Sequence, residues 1–263
     1  MKIKCPICNN ELTKQDKTYK CLNNHCYDVA KEGYINLLKK QGGKDFGDSK
    51  DMVKARREFF DLDYYAPLKK RLTEIISTLK ITNLLDLGCG EGYYTNYYKN
   101  SLNLDIASLD ISKEAVRIAS KRNKEIAYMV ASVQDLPFFD KSIDLAVNAF
   151  TPIDLNEICR VLKDDGYLLT ARVGEKHLLE LKEALYDEIY LNDNKPLVDD
   201  RLTLISSEVL KFSISLNSNN DITNLFMMTP YYHHTSLESK ERLKKLNHLN
   251  VHLEFNIDLY QKK

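Results

Sequence analysis

The chain has 263 residues, with 38 Lys and Arg balanced by 38 Asp and Glu, and six cysteines. That length carries one large α/β domain and a small module, while zero formal charge excludes a reading built on polycationic character of the whole chain. No apolar run reaches the roughly 18 residues of a membrane span, and Met1 to Cys5 holds no apolar signal region. A soluble cytoplasmic protein without a membrane partner is therefore expected.

Charge is unevenly placed. Residues 1–80 hold 17 basic and 11 acidic side chains, leaving 21 and 27 for the rest. A basic front before a neutral-to-acidic body suits nucleic-acid contact through the N-terminal part, although chance asymmetry explains the count equally well.

The first motif is Cys5-Pro6-Ile7-Cys8, followed by Cys21-Leu22-Asn23-Asn24-His25-Cys26. Two turns that each present thiolates supply the tetrahedral donor set of a structural Zn²⁺. A redox C-x-x-C belongs in a thioredoxin-like βαβ unit, and none surrounds this one. The segment also has too few apolar residues to fold without a cross-link. His25 and Cys26 are neighbours and cannot both complete a four-coordinate site, so the residues alone leave the fourth ligand open, with Cys₄ the commoner composition. Apolar positions in Tyr27 to Leu38 are expected to pack on this metal module.

Lys39 to Asp48, with Gly42, Gly43 and Gly47, reads as a linker or a mobile segment over substrate. Ser49 to Lys80 reads as helical, with Ser49 as a cap and Pro67 near the start of a second helix. Lys54, Arg56 and Arg57 make a basic cluster, whose neutral reading is a solvated helix face.

From Asn83 the order of elements is regular. Leu84-Leu85-Asp86-Leu87-Gly88-Cys89-Gly90-Glu91-Gly92 reads as a buried strand, a tight turn and a helix start near Glu91. Its spacing is not G-x-G-x-x-G, and Glu91 would repel a phosphate. With Asp110 ending the next apolar run, it resembles the S-adenosylmethionine site of class I methyltransferases. That resemblance implies a glycine turn under the methionine and ribose, and an acid that accepts from the ribose hydroxyls. Apolar stretches at 84–87, 104–109, 126–131 and 143–149 alternate with helical stretches near 91–100, 112–123 and 154–163, and Gly166 begins a further strand to Val173. Such alternation predicts a parallel sheet with ligands at the strands' carboxyl ends, where Gly88, Asp110, Ser132 and Asn148 fall. Ser132 stands where the class carries an acid for adenine. Val147-Asn148-Ala149-Phe150-Thr151-Pro152 partly matches the Asn/Asp-Pro-Pro-aromatic motif of amino-directed nucleic-acid methyltransferases, with Phe150 either stacking on an extruded base or simply core. Asn250 to Tyr260 alternates as a strand with one wet face, pairing with Leu202 to Leu216.

The pieces together resemble the bacterial 23S ribosomal RNA (guanine-N1)-methyltransferase family. The most specific segments are Cys5-Pro6-x-Cys8 with Cys21-x3-His25, Ala30-Lys31-Glu32-Gly33-Tyr34-x-Asn36-Leu37-Leu38, Gly47-Asp48-Ser49, Ala55-Arg56-Arg57, the glycine turn through Thr95, His177-Leu178-x-Glu180-Leu181-Lys182, and Met228-Thr229-Pro230. The family includes macrolide-resistance members. The resemblance implies zinc on Cys5, Cys8, Cys21 and His25, with Cys26 a local extra. It also implies an S-adenosylmethionine pocket that draws on Tyr65 and His177 beside Asp86, Gly88, Gly90, Glu91, Gly92, Asp110 and Ser132.

The expected fold is a mostly parallel class I methyltransferase sheet with an antiparallel C-terminal edge and a small zinc module. Expected divisions are residues 1–35 (zinc and RNA recognition), 36–61 (linker and basic helix) and 62–263 (methyl transfer). The implied substrate is a 23S rRNA hairpin, and a homodimer is compatible. Guanine N1 must lose a proton, which calls for a base or a donor to O6; Asp135, Asp154 and Glu157 are candidates, none assigned. The rival readings are a small-molecule methyltransferase, and an rRNA-binding factor without turnover. The zinc module argues against the first and the intact Gly88, Gly90, Gly92 and Asp110 against the second.

Overall fold

A computed structural model describes residues 1–39 and 47–263. Most of the glycine-rich segment expected at Lys39 to Asp48 lies outside the described residues.

The N-terminal ribbon is a four-stranded antiparallel sheet of β1 (Ile3–Lys4), β2 (Glu11–Gln15), β3 (Thr18–Lys20) and β4 (Cys26–Asp28), paired in chain order. Each pair of ligand residues is folded into a tight turn. Asn9 N–H donates to the Cys5 carbonyl at 2.9 Å and Asn24 N–H to the Cys21 carbonyl at 3.0 Å. Both asparagines sit at left-handed φ, 61° and 62°, which Asn tolerates better than most residues.

The chain then leaves the ribbon. Ile35–Asn36 (β5) pairs parallel with β8 (Ala127–Val130) at the edge of the main sheet. Tyr34, Ile35 and Leu37 are buried against the body, so this apolar stretch packs on the large sheet more than on the metal module. Ribbon residues Ile3, Cys5, Leu12 and Cys21 belong to the same apolar cluster as Leu85, Leu109 and Met129 of the body. Lys4 N–H donates to the Pro137 carbonyl at 2.8 Å.

Helices α1 (Lys50–Asp61) and α2 (Ala66–Ser77) follow, α1 capped by the Ser49 hydroxyl and α2 opening on Pro67 as read from the sequence. Then come β6 (Asn83–Leu87), α3 (Tyr93–Ser101), β7 (Asp105–Asp110), α4 (Lys113–Arg122), β8, β9 (Ile143–Ala149), α5 (Leu155–Val161) and β10 (Leu162–Val173). The remainder is α6 (Leu179–Leu185), β11 (Leu202–Leu216), α7 (Asn219–Met227), α8 (Tyr231–His234), α9 (Leu237–Lys244) and β12 (Leu249–Lys262). The main sheet has eight strands in the order β11-β12-β10-β9-β6-β7-β8-β5, all parallel from β10 to β5, with β12 antiparallel to both neighbours. The connections run outward from β6 in one direction and resume at β9 in the other, which places a crevice at the carboxyl ends of β6 and β9.

Three details differ from the sequence expectations. Strand β10 starts at Leu162 and not at Gly166, because Leu162 already pairs with Ile143 before a register shift that Asp165, at φ 62°, accommodates. Helix α3 starts at Tyr93, since Gly92 takes the left-handed cap position. The polar face of β12 is wet only at Asn250 and His252. Further along, Glu254, Asn256 and Asp258 are buried and pair with Lys211, Asn194 and Arg172 respectively.

Candidate functional site

The crevice holds a cavity of about 620 Å³. Gly88 sits at its floor at φ 73°, and a Cβ there would lie 1.9 Å from the Thr151 hydroxyl. Only glycine allows the β6 turn to pass so close to the segment after β9. The Asp110 carboxylate braces this turn from β7: Oδ2 accepts from Gly90 N–H at 2.9 Å and Oδ1 from Ser112 N–H at 2.8 Å. Burial raises its pKa against the pull of those two N–H groups.

Of the residues expected to hold cofactor, Tyr65, Asp86, Gly88, Gly90, Glu91, Asp110 and His177 border the cavity. Gly92 and Ser132 are not among the lining residues. Gly92 faces Ala119, 2.9 Å from where its Cβ would be, and the Ser132 hydroxyl accepts from Gln134 N–H at 3.1 Å. Burial raises the pKa of each acid on the wall. Burial pushes the Asp86 carboxyl up to about 7, aided by Asp110 and Glu91, although the Thr95 hydroxyl donates to it. Burial also raises Glu91, against the nearby Arg122 guanidinium. His177, buried, is pushed down to about 4 and is neutral near pH 7. Its Nδ1 lies 3.1 Å from the Glu254 carbonyl and 3.2 Å from the Glu254 N–H.

The sequence reading did not assign Phe60, Tyr94, Arg172, Asn192 and Phe255 to the cavity, all of which border it. Asn148 and Phe150 border it too. Phe150 is no core residue: it is 42% exposed, at φ 64°, with its ring 5.5 Å from that of Phe255. A bulky side chain at positive φ is a conformational outlier of the kind that collects at functional sites, a signal that no sequence pattern carries. Arg56 also turns inward, pairing with Asp48 in the cavity wall. Its neighbours pair on the surface, Arg57 with Asp61 at 3.4 Å and Lys54 with Glu58 at 3.7 Å. The three general-base candidates lie outside the lining. Asp154 caps α5, Glu157 accepts from Leu136 N–H at 2.7 Å and pairs with Arg160, and Asp135 pairs with Lys39.

In the ribbon, Cys5, Cys8, Cys21 and His25 bring three Sγ and one imidazole nitrogen within 4.8 Å of one another. Neighbouring donors are 3.4–3.6 Å apart. A tetrahedral Zn²⁺ with bonds of about 2.0–2.3 Å requires edges of about 3.3–3.8 Å, so the set fits the metal. Cys26 is exposed and its thiol faces the Asn24 carbonyl. The Tyr27 hydroxyl lies 3.5 Å from Cys5 Sγ, an outer contact to the donor set.

These two sites have counterparts elsewhere. Residues 3–42 match the zinc-ribbon family model described as RlmA, N-terminal, and residues 85–170 match a methyltransferase domain model. A 23S rRNA (guanine(748)-N(1))-methyltransferase of Streptomyces fradiae is 35% identical over 189 residues, 70% of this chain and 67% of that protein. The chain belongs to the 23S rRNA (guanine-N1)-methyltransferase family. YxjB of Bacillus subtilis is 29% identical over 197 residues, 70% of this chain and 69% of that protein. Among solved structures, phosphoethanolamine N-methyltransferase 2 of Haemonchus contortus, in complex with phosphomonomethylethanolamine and S-adenosylhomocysteine, shares the fold. It matches at TM-score 0.51 and 15% identity, over 83% of this chain and 59% of that one. The chain is thus a class I methyltransferase whose cofactors are S-adenosylmethionine and a structural Zn²⁺. No helix among the described residues is long and apolar enough to cross a membrane.

Proposed function

We propose that this enzyme transfers a methyl group from S-adenosylmethionine to N1 of a guanine in a hairpin loop of 23S ribosomal RNA, in the cytoplasm. The observation that carries this reading is the family relationship across both modules: a Cys/His ribbon joined to a methyltransferase cavity, in a chain whose relative from Streptomyces fradiae acts at a 23S rRNA guanine N1. When bound, S-adenosylmethionine supplies an electrophilic methyl group on a sulfonium.

The chain's residues would divide the work as follows. Each Asp110 oxygen already accepts one backbone N–H and keeps a lone pair for a ribose hydroxyl. Gly88 and Gly90 let the backbone approach the methionine end. Tyr65, buried, and His177, neutral, form a wall that adds no positive charge near a sulfonium. Phe150, raised by its left-handed backbone, offers a face on which an extruded base stacks. Residues 1–35 would recognise the RNA, with α1 and the rest of the chain forming the catalytic body. A homodimer is compatible with this arrangement, and sedimentation at working concentration checks it.

The test is methyl incorporation from labelled S-adenosylmethionine by the zinc-loaded full chain, with a large-subunit rRNA hairpin and with RNA omitted. RNA-dependent incorporation and a primer-extension stop at one guanine are expected, because N1 methylation blocks pairing. Incorporation that does not need RNA would overturn the proposal.

A further inference from the structure

We propose that Asn148 and Arg172 are a guanine-reading pair, whose free donors take O6 and N7 of the target base and leave N1 turned toward the methyl group. This rests on the activity proposed above and names the residues that select the base.

Three buried donors on cavity-lining residues have no hydrogen-bond partner among the described residues: Asn148 Nδ2, Arg172 Nε and the Tyr94 hydroxyl; the first two lie on neighbouring strands. Asn148 is 1% exposed. It stands opposite Thr170 in the parallel pairing of β9 and β10. Arg172 is two residues beyond Thr170, so strand alternation puts both side chains on one face of the sheet, at the carboxyl ends of neighbouring strands. Each of the other two guanidinium nitrogens has one partner. Nη2 donates to Asp258 Oδ2 at 2.6 Å and Nη1 donates to the Lys195 carbonyl. Asp258 is itself buried and also accepts from the Ser207 hydroxyl at 2.6 Å. The guanidinium is held from two sides; each Nη keeps a second N–H, and Nε is the nitrogen left buried without a partner.

Buried donors without acceptors are costly, and the two N–H donors on neighbouring strands fit a ligand edge with two adjacent acceptors. Guanine offers that edge, since O6 and N7 both accept, whereas adenine places an amino donor where O6 would be. Engaging O6 and N7 leaves N1, on the other side of O6, unobstructed. As the N1–CH₃ bond forms and the S–CH₃ bond breaks, the sulfonium becomes a thioether and the N1 proton leaves to water. The negative charge that N1 deprotonation sends to O6 then meets fixed N–H donors. Phe150, two residues after Asn148, presents its partly exposed ring at the same cavity.

A carboxylate, such as the methionine end of the cofactor, also has two adjacent acceptors, and the experiment separates the two. Zinc-loaded full-length protein, native or carrying Asn148→Asp or Arg172→Lys, is given hairpins with guanosine, 7-deazaguanosine or 2-aminopurine at the target position. Methyl transfer is measured on the first two, RNA binding on all three, and cofactor affinity by calorimetry. The native protein should lose about tenfold on removal of N7 or of O6. One of those penalties should vanish in each variant, while cofactor affinity holds. Asn148→Ala and Arg172→Gln replace a first variant that fails to fold, judged by zinc content and thermal melting. Penalties unchanged in the variants, or a fall in cofactor affinity in their place, overturn the pair. A native protein that methylates no guanosine hairpin defeats the proposed function itself, whereas an active one with unchanged penalties defeats only this inference.

Discussion

The ribbon strands are two to five residues long, and of residues 1–28 only Ile3, Cys5, Leu12 and Cys21 are buried hydrophobics. Two of those four are zinc ligands. In the body, β10 and β12 run 12 and 14 residues, and apolar side chains fill both faces of the sheet. The ribbon therefore depends on four donor atoms where the body depends on many dispersed contacts. One ligand lost should collapse the ribbon, while single changes in the body should act locally. The two regions are nevertheless not independent, because Ile3 and Leu12 share an apolar cluster with β6, β7 and β8.

The largest expected effect tests this contrast directly. Structural zinc in small modules is worth about 10–16 kcal/mol of apparent binding free energy. Cys8→Ser should release the metal and remove hydrogen-exchange protection from the ribbon, with cofactor affinity of the body retained. His25→Ala should do the same and Cys26→Ala should not, as zinc content after dialysis will report. Stoichiometric zinc in Cys8→Ser would refute the ligand set.

The next test concerns where the body begins. Phe60 and Arg56 of α1 border the cavity, and Phe60 stacks on Tyr93 with ring centroids 4.5 Å apart. A fragment starting at Leu62 should therefore bind S-adenosylmethionine poorly by calorimetry, whereas one starting at Gly47 should bind it well. Equal binding by both would make α1 a mere connector.

The pH response of the body comes third. Asp86 holds its proton more tightly when folded, at about 7 against 3.8 for the ordinary group. Its contribution to stability is thus fully present below about pH 4 and is lost as pH rises to about 7. Asp86→Asn should remove that loss, gaining on the order of 4 kcal/mol at pH 8 and nothing near pH 4. Thermal melts of ligand-free protein at the two pH values check it, and parallel curves would show that the carboxyl is ionised throughout.

Smaller still is Asp110→Ala. It removes charge-assisted acceptors worth about 1.5–3 kcal/mol each, so cofactor affinity should fall at least about tenfold by calorimetry. The smallest is Arg57→Ala, which breaks an exposed pair with Asp61 and should change stability by less than about 0.5 kcal/mol. If this arginine meets RNA phosphate, the slope of log affinity against log salt should still fall by about one.

Local rules made parts of this protein readable from its sequence. The spacing of Cys5, Cys8 and Cys21 is legible because a metal knuckle is a short-range turn, whereas the choice of His25 over Cys26 came from family resemblance. Gly88, Gly90 and Asp110 are legible because a strand ending in a tight turn constrains the residues beside it. The β12 pattern is legible as alternation, but its polar face is wet only at Asn250 and His252 and buried at Glu254, Asn256 and Asp258, since alternation distinguishes two faces without saying what covers the second. Tyr65 and His177 came only from family resemblance, for nothing in their neighbourhoods marks them as cavity residues.

The sequence by itself determined the α/β alternation, the glycine turn, the two Cys-rich turns and the strand that closes the sheet, all set by neighbours within a few residues or by a simple period. Only the tertiary structure decided that Arg56 turns inward to Asp48, that Arg172 is held by Asp258, and that Asn148 and Phe150 border the same cavity as residues from α1 and β12. Those placements depend on which distant strands lie side by side and which polar groups find partners there. Such a pairing spans 86 positions of chain between Arg172 and Asp258, and no local pattern encodes it.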